Sequence, residues 1–160
     1  MEKRDRYAKP EFERRFLLES LPTVVFGPVR IRDRYLQDTR IRLRRIESME
    51  GELIELKLGH KWRPHAQDPR VIMHTSIYLD DTEFELLSKL AGNDLVKTRY
   101  RLEEQPNWAI DHHKAPRDGL IILEVNFADV DKAEEFEPPA WASVEVTDDE
   151  EYTGDGLARS

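Results

Sequence analysis

The sequence contains no cysteine among its 160 residues. That excludes disulfides, thiolate metal sites and cysteine nucleophiles, and it points to a cytoplasmic, reducing setting. No stretch approaches the ~18 consecutive apolar residues that a spanning helix needs, so no membrane partner is expected. The opening Met1-Glu2-Lys3-Arg4-Asp5-Arg6 runs into no apolar stretch and does not read as a secretory leader. There is no Gly-rich phosphate loop, no Ser-His-Asp order and no aromatic nucleic-acid motif. Nucleic acid is therefore not an expected partner.

What is present is charge. Charged residues make up 36% of the chain against 39% apolar residues, so the core must be economical. The net charge of −8 is unevenly spread. Residues 1–63 carry 16 Lys and Arg against 11 Asp and Glu, whereas residues 64–160 carry 9 against 22. A basic first part inside an acidic protein suits a local anion site better than a broad basic face.

The pattern is mainly β. Alternation over 11–18, 29–36, 40–46, 52–58, 71–79, 95–102, 107–112 and 119–127 predicts about eight strands. Met49-Glu50-Gly51 reads as a hairpin turn. Helical spacing over 82–91 predicts one helix, with Thr82 as cap, Glu85 three residues on, and Gly92-Asn93 as its end. A short acidic helix is expected at 129–136, and 148–160 reads as a polar, loosely held tail. No internal repeat or long linker appears, so residues 1–160 read as one domain. Strands this charged need one polar face. In a sandwich that face meets solvent, and in a closed barrel it lines a wet lumen. Periodicity leaves both open.

Residues two apart on a strand share a face. Glu11, Glu13 and Arg15 align, as do Arg40, Arg42 and Arg44, and Lys97, Arg99 and Arg101. Lys57 follows Glu55 on the hairpin partner, and Glu124 and Asn126 form another polar row. A solvated face laced with cross-strand pairs accounts for any one row. Several basic rows beside two carboxylate rows favour an anion held between them. Arginine forks and lysine point charges suit phosphate oxygens. Carboxylates without thiolates suit a hard cation such as Mg²⁺ or Mn²⁺. His112 and His113 are adjacent and point to opposite faces, which argues against a bidentate pair. His60, His65 and His74 are scattered and read as surface or packing residues. Trp108, Trp141, Tyr78 and Tyr100 read as parts of a barrel wall.

Glu11-Phe12-Glu13-Arg14-Arg15-Phe16-Leu17 resembles the ExExK opening of the CYTH superfamily, the triphosphate tunnel metalloenzymes. Arg42-Leu43-Arg44 resembles its RxR strand, Lys97-Thr98-Arg99-Tyr100 its KxRY segment, and Leu123-Glu124-Val125-Asn126-Phe127 its ExE strand. Trp108 to Asp111, Pro139 to Trp141, Glu145 to Thr147 and Tyr152 also match in order. The resemblance spans about residues 10–158.

It implies a closed eight-stranded antiparallel β-barrel, a triphosphate tunnel with a few short helices. Glu11 and Glu13 would bind Mg²⁺ or Mn²⁺, with Glu124 opposite and Asn126 in the place of the second ExE acid. Arg42, Arg44, Lys57, Lys97 and Arg99 would grip phosphate oxygens. Arg15 stands where the family has a catalytic lysine, and it keeps the charge without being able to act as a base. Glu145 would hold a second metal or orient the attacking water. Around Thr153-Gly154-Asp155 the family's basic residues are missing. The expected activity is metal-dependent hydrolysis of tripolyphosphate or a related triphosphate. A triphosphate-binding domain with little turnover is the alternative, followed by adenylate cyclase or thiamine triphosphatase. The partner is then a small anionic substrate, and a homodimer is left open.

Overall fold

The computed structural model describes residues 6–65, 67–142 and 144–160; the start of the segment read above for a leader, Met1 to Asp5, lies outside them. The alternating segments become strands β1 (Lys9–Leu18), β2 (Val25–Leu36), β3 (Ile41–Glu47), β4 (Leu53–Trp62), β5 (Val71–Tyr78), β6 (Gly92–Leu102), β7 (Gln105–Ala115) and β8 (Ile121–Phe127). All pair antiparallel in the order β5-β4-β3-β2-β6-β7-β8-β1, and β1 pairs back onto β5. The sheet is therefore a closed barrel, which decides between the two architectures that periodicity left open.

Closure depends on how β1 divides its edges. One edge runs along β8 from Phe12 to Leu18. The other pairs Lys9–Phe12 with β5 and then, at Phe16 and Leu17, with a two-residue strand β9 (Val144–Glu145). Gly51, at φ +94°, makes the β3–β4 turn where a side chain would be strained.

The larger apolar core lies outside the barrel wall. Phe16, Ile110, Leu123 and Val125 are buried there together with Ala142. Phe136 roofs this cluster and stacks edge-on against Trp108 and Phe127. It follows helix α2 (Val130–Glu135), which is capped by Asp129. Most outward positions on β1, β7 and β8 are thus apolar because they are covered, with Arg14 the charged exception on β1. Most inward positions are charged. Tyr100 packs against this outer cluster, whereas Tyr78 and Trp141 are largely exposed.

Three expectations change. Helix α1 spans Asp81–Ser88 and is capped by Asp80, not Thr82: Glu83 N–H donates to Asp80, and Asp80 N–H donates to Glu83. Gly92 and Asn93 open β6 rather than end a helix, because Gly92 pairs with Leu36. The tail is held rather than loose. Thr153 caps α3 (Gly154–Arg159), and Leu157 and Ala158 pack on Leu95 and Ile122. No helix among the described residues is long and apolar enough to cross a membrane.

Candidate functional site

The inward faces of the barrel enclose a cavity of about 560 Å³. Glu11, Glu13 and Arg15 reach it from β1, Arg42 and Arg44 from β3, Lys97 and Arg99 from β6, and Glu124 and Asn126 from β8. Four rows that are separate in sequence thus meet in one space.

Buried aspartates prop the basic residues. Asp33 accepts from Arg44 Nε and Nη2, both at 2.7 Å. Asp111 accepts from Arg99 Nε and Nη2 at 2.6 and 2.7 Å, and from Lys97 Nζ at 2.6 Å. Burial pushes both carboxyls up, but the adjoining guanidinium groups, with Lys97 at Asp111, outweigh it and hold both well below the usual range. Two-point pairing fixes each guanidinium plane. Arg42 Nε is buried without a hydrogen-bond partner and lies 3.9 Å from Asp33 Oδ1.

The carboxylates behave differently. Burial raises Glu11, but its contacts to His74 Nδ1 at 2.7 Å and Lys61 Nζ at 2.9 Å hold it down to about 2. Glu13 is pushed up by burial and by the charge of Glu124, against Lys61 and Arg15. At Glu124, burial is outweighed by Arg99, whose Nη2 lies 3.5 Å away, and its pKa is lowered. A repelling pair of all-oxygen donors is the chemistry that a hard cation relieves. Among the described residues, no three His, Asp or Glu side chains already stand together as a metal cluster.

A curated relative, the inorganic triphosphatase of Nitrosomonas europaea, is 30% identical over 153 residues, 94% of this chain and 97% of that protein. This chain belongs to the CYTH superfamily. The crystal structure of the inorganic triphosphatase NE1496 superposes with a TM-score of 0.61 at 29% identity, covering 94% of this chain and 95% of that one. The PH1819 protein of Pyrococcus horikoshii shares the fold, with a TM-score of 0.54 at 19% identity over 78% of this chain and 82% of that one. No family model matches the sequence.

Two expected residues of this CYTH chain do not reach the cavity. Lys57 lies opposite Arg44 on the inward face of β4. Its ammonium pairs instead with Glu55 at 2.6 Å and sits over the Tyr78 ring. Glu55, on the same face of β4, supplies the anion that holds it. Glu145 stands on the barrel's outer surface, where Arg14 grips both its oxygens at 2.7 and 2.6 Å and Thr147 donates to it. Glu145 is the cross-strand partner of outward-facing Phe16 and shares its face, so it does not face the lumen.

Lys61, His74 and His113 line the cavity and were not among the expected site residues. Lys61 shares the face of Lys57 and Gly59, but β4 was expected to stop at 58. His74 lies two residues from inward Ile72. His113 is buried with Nδ1 unpartnered, and burial and Lys97 push it down to about 4.

Proposed function

We propose that this chain is a metal-dependent triphosphatase acting on inorganic tripolyphosphate or a related triphosphate inside the barrel. The observation that carries this reading is the convergence of Arg42, Arg44, Lys97 and Arg99 with Glu13 and Glu124 on one enclosed cavity. Family membership and the named activity of the Nitrosomonas relative support it.

Arg42, Arg44, Lys97 and Arg99 would hold the phosphate oxygens. Asp33 and Asp111 keep Arg44 and Arg99 in fixed planes, so little reorganisation is needed when substrate enters. Water would attack the terminal phosphorus in line, the P–O anhydride bond would break, and the cationic side chains would stabilise charge on the departing pyrophosphate. Glu13 and Glu124, with Glu11 and the amide oxygen of Asn126, would hold Mg²⁺ or Mn²⁺. The cation, when bound, neutralises phosphate charge. A small anionic substrate is the partner in this reading. It needs no nucleic acid or membrane, and it suits a cytoplasmic protein.

The second reading is a triphosphate-binding domain with little turnover. It is favoured by Glu11, which is already paired with Lys61 and hydrogen-bonded to His74. Incubation with tripolyphosphate, ATP and thiamine triphosphate, with Mg²⁺ or Mn²⁺ and with EDTA, separates the two. The triphosphatase reading expects metal-dependent phosphate release from tripolyphosphate and no cyclic AMP from ATP. Tight tripolyphosphate binding without turnover on any substrate establishes the second reading instead.

A further inference from the structure

We infer that Arg15 is a positioning residue, a clasp that ties the carboxylate strand β1 to the C-terminal cover of the cavity, and not a phosphate ligand. Its side chain is 7% exposed, so its donors must be satisfied within the protein. Nη1 donates to Tyr152 O at 2.7 Å and Nη2 donates to Thr147 O at 3.1 Å. Nε lies 3.6 Å from Glu13 Oε1. The backbone joins the same junction: Arg15 N–H donates to Thr147 Oγ1 at 3.0 Å, and Val146 N–H donates to Arg15 O at 2.9 Å.

The segment held in this way forms part of the cavity wall. Glu150, Tyr152, Gly154, Asp155 and Leu157 all line it. Thr153, next to the clasped Tyr152 carbonyl, caps α3, and α3 carries Leu157 into the core. One guanidinium therefore connects the cover to Glu13. A lysine has one nitrogen, whose three donors would have to serve both carbonyls and Glu13 from a single point and without the fixed plane of a fork. Arginine at this position exchanges a mobile cation for a fixed joint.

The inference goes beyond the proposed activity, and its first readout needs no substrate. Amide hydrogen exchange is measured on the full chain and on Arg15→Lys. The clasp predicts that exchange across 147–159 speeds up by about tenfold or more while β6–β8 keep their protection. With tripolyphosphate and Mg²⁺, kcat is expected to fall on the order of tenfold with KM changed less than about twofold, because Glu13 loses its orientation and no phosphate contact is removed. Unchanged exchange across 147–159 overturns the clasp. A raised KM at unchanged kcat also overturns it, since that is the signature of a phosphate ligand. Gly154→Ala provides an independent arm with Arg15 intact. A Cβ there would strike the Tyr35 hydroxyl and push the cover away. It should reproduce the faster exchange and the lower kcat; faster exchange with unchanged kcat overturns the link between cover and carboxylate wall. If the protein proves to lack turnover, the exchange arm still decides the clasp.

Discussion

Glu13 and Glu124 face the same cavity from adjacent strands, each two residues along from the other's cross-strand partner. Glu13 pairs with Asn126, and Glu124 pairs with Arg15. The two negative charges oppose one another, and the charge of Glu124 helps to push the Glu13 carboxyl up. Glu13→Gln removes the repulsion. It is expected to stabilise the cation-free protein by about 1 kcal/mol, as is common when a strained functional group is relieved. The same change should abolish Mg²⁺- or Mn²⁺-dependent turnover. Thermal denaturation in EDTA reads the first effect and phosphate release reads the second. A destabilised variant would contradict the repulsion.

Arg44 and Asp33 give a second test. Asp33 is buried behind Arg44 and takes both its oxygens' bonds from it. Arg44→Met would leave that carboxylate without its bidentate partner, at a cost of roughly 3–5 kcal/mol. Asp33→Asn together with Arg44→Met should recover much of this loss. Urea denaturation of the four proteins in a double-mutant cycle measures the coupling. Additive losses would show that the pair does not act as a unit.

The rows of alternating charge were legible in the sequence because a strand's period of two places Arg42 with Arg44 and Lys97 with Arg99 without any knowledge of their neighbours. Closure was not. The pairing of β1 with β5 joins residues about 60 positions apart, and only the family resemblance pointed to it. Lys61 was hidden because Gly59 interrupts the side-chain pattern midway along β4. Glu145 sits on a two-residue strand, too short for alternation to assign a face. The tail read as loose because Leu157 and Ala158 are two apolar residues among polar ones. The Thr153 cap was the local signal that a helix begins there.

His113 sets a pH limb. Burial and Lys97 keep its imidazole neutral down to about pH 4, against the ordinary 6.5 of the unfolded chain. Between those values the unfolded chain binds a proton that the folded chain refuses. Stability is therefore complete above about pH 6.5 and falls as the pH drops through the window, by roughly 3 kcal/mol in all. Chemical denaturation from pH 7.5 to 4 should show this decline, and His113→Gln should flatten it. An unaltered slope in the variant would assign the limb to other groups.

Leu157 tests the seating of the tail. It is 1% exposed and packs against Leu95 and Ile122. Leu157→Ala is expected to cost about 2–5 kcal/mol. A loss below about 0.5 kcal/mol, the range of surface changes, would mean that α3 does not hold the core.

The divided edge of β1 also sets an order of assembly. The strand that carries Glu11 and Glu13 is made first, yet its long partner β8 begins only at Ile121. At roughly 5–20 residues per second, β1 leaves the ribosome and waits for about 5 to 20 seconds before β8 exists. During that interval its apolar side, Phe12, Phe16 and Leu18, has no lasting cover. The charged alternate positions of the same strand then serve the nascent chain as a guard against sticking to its neighbours.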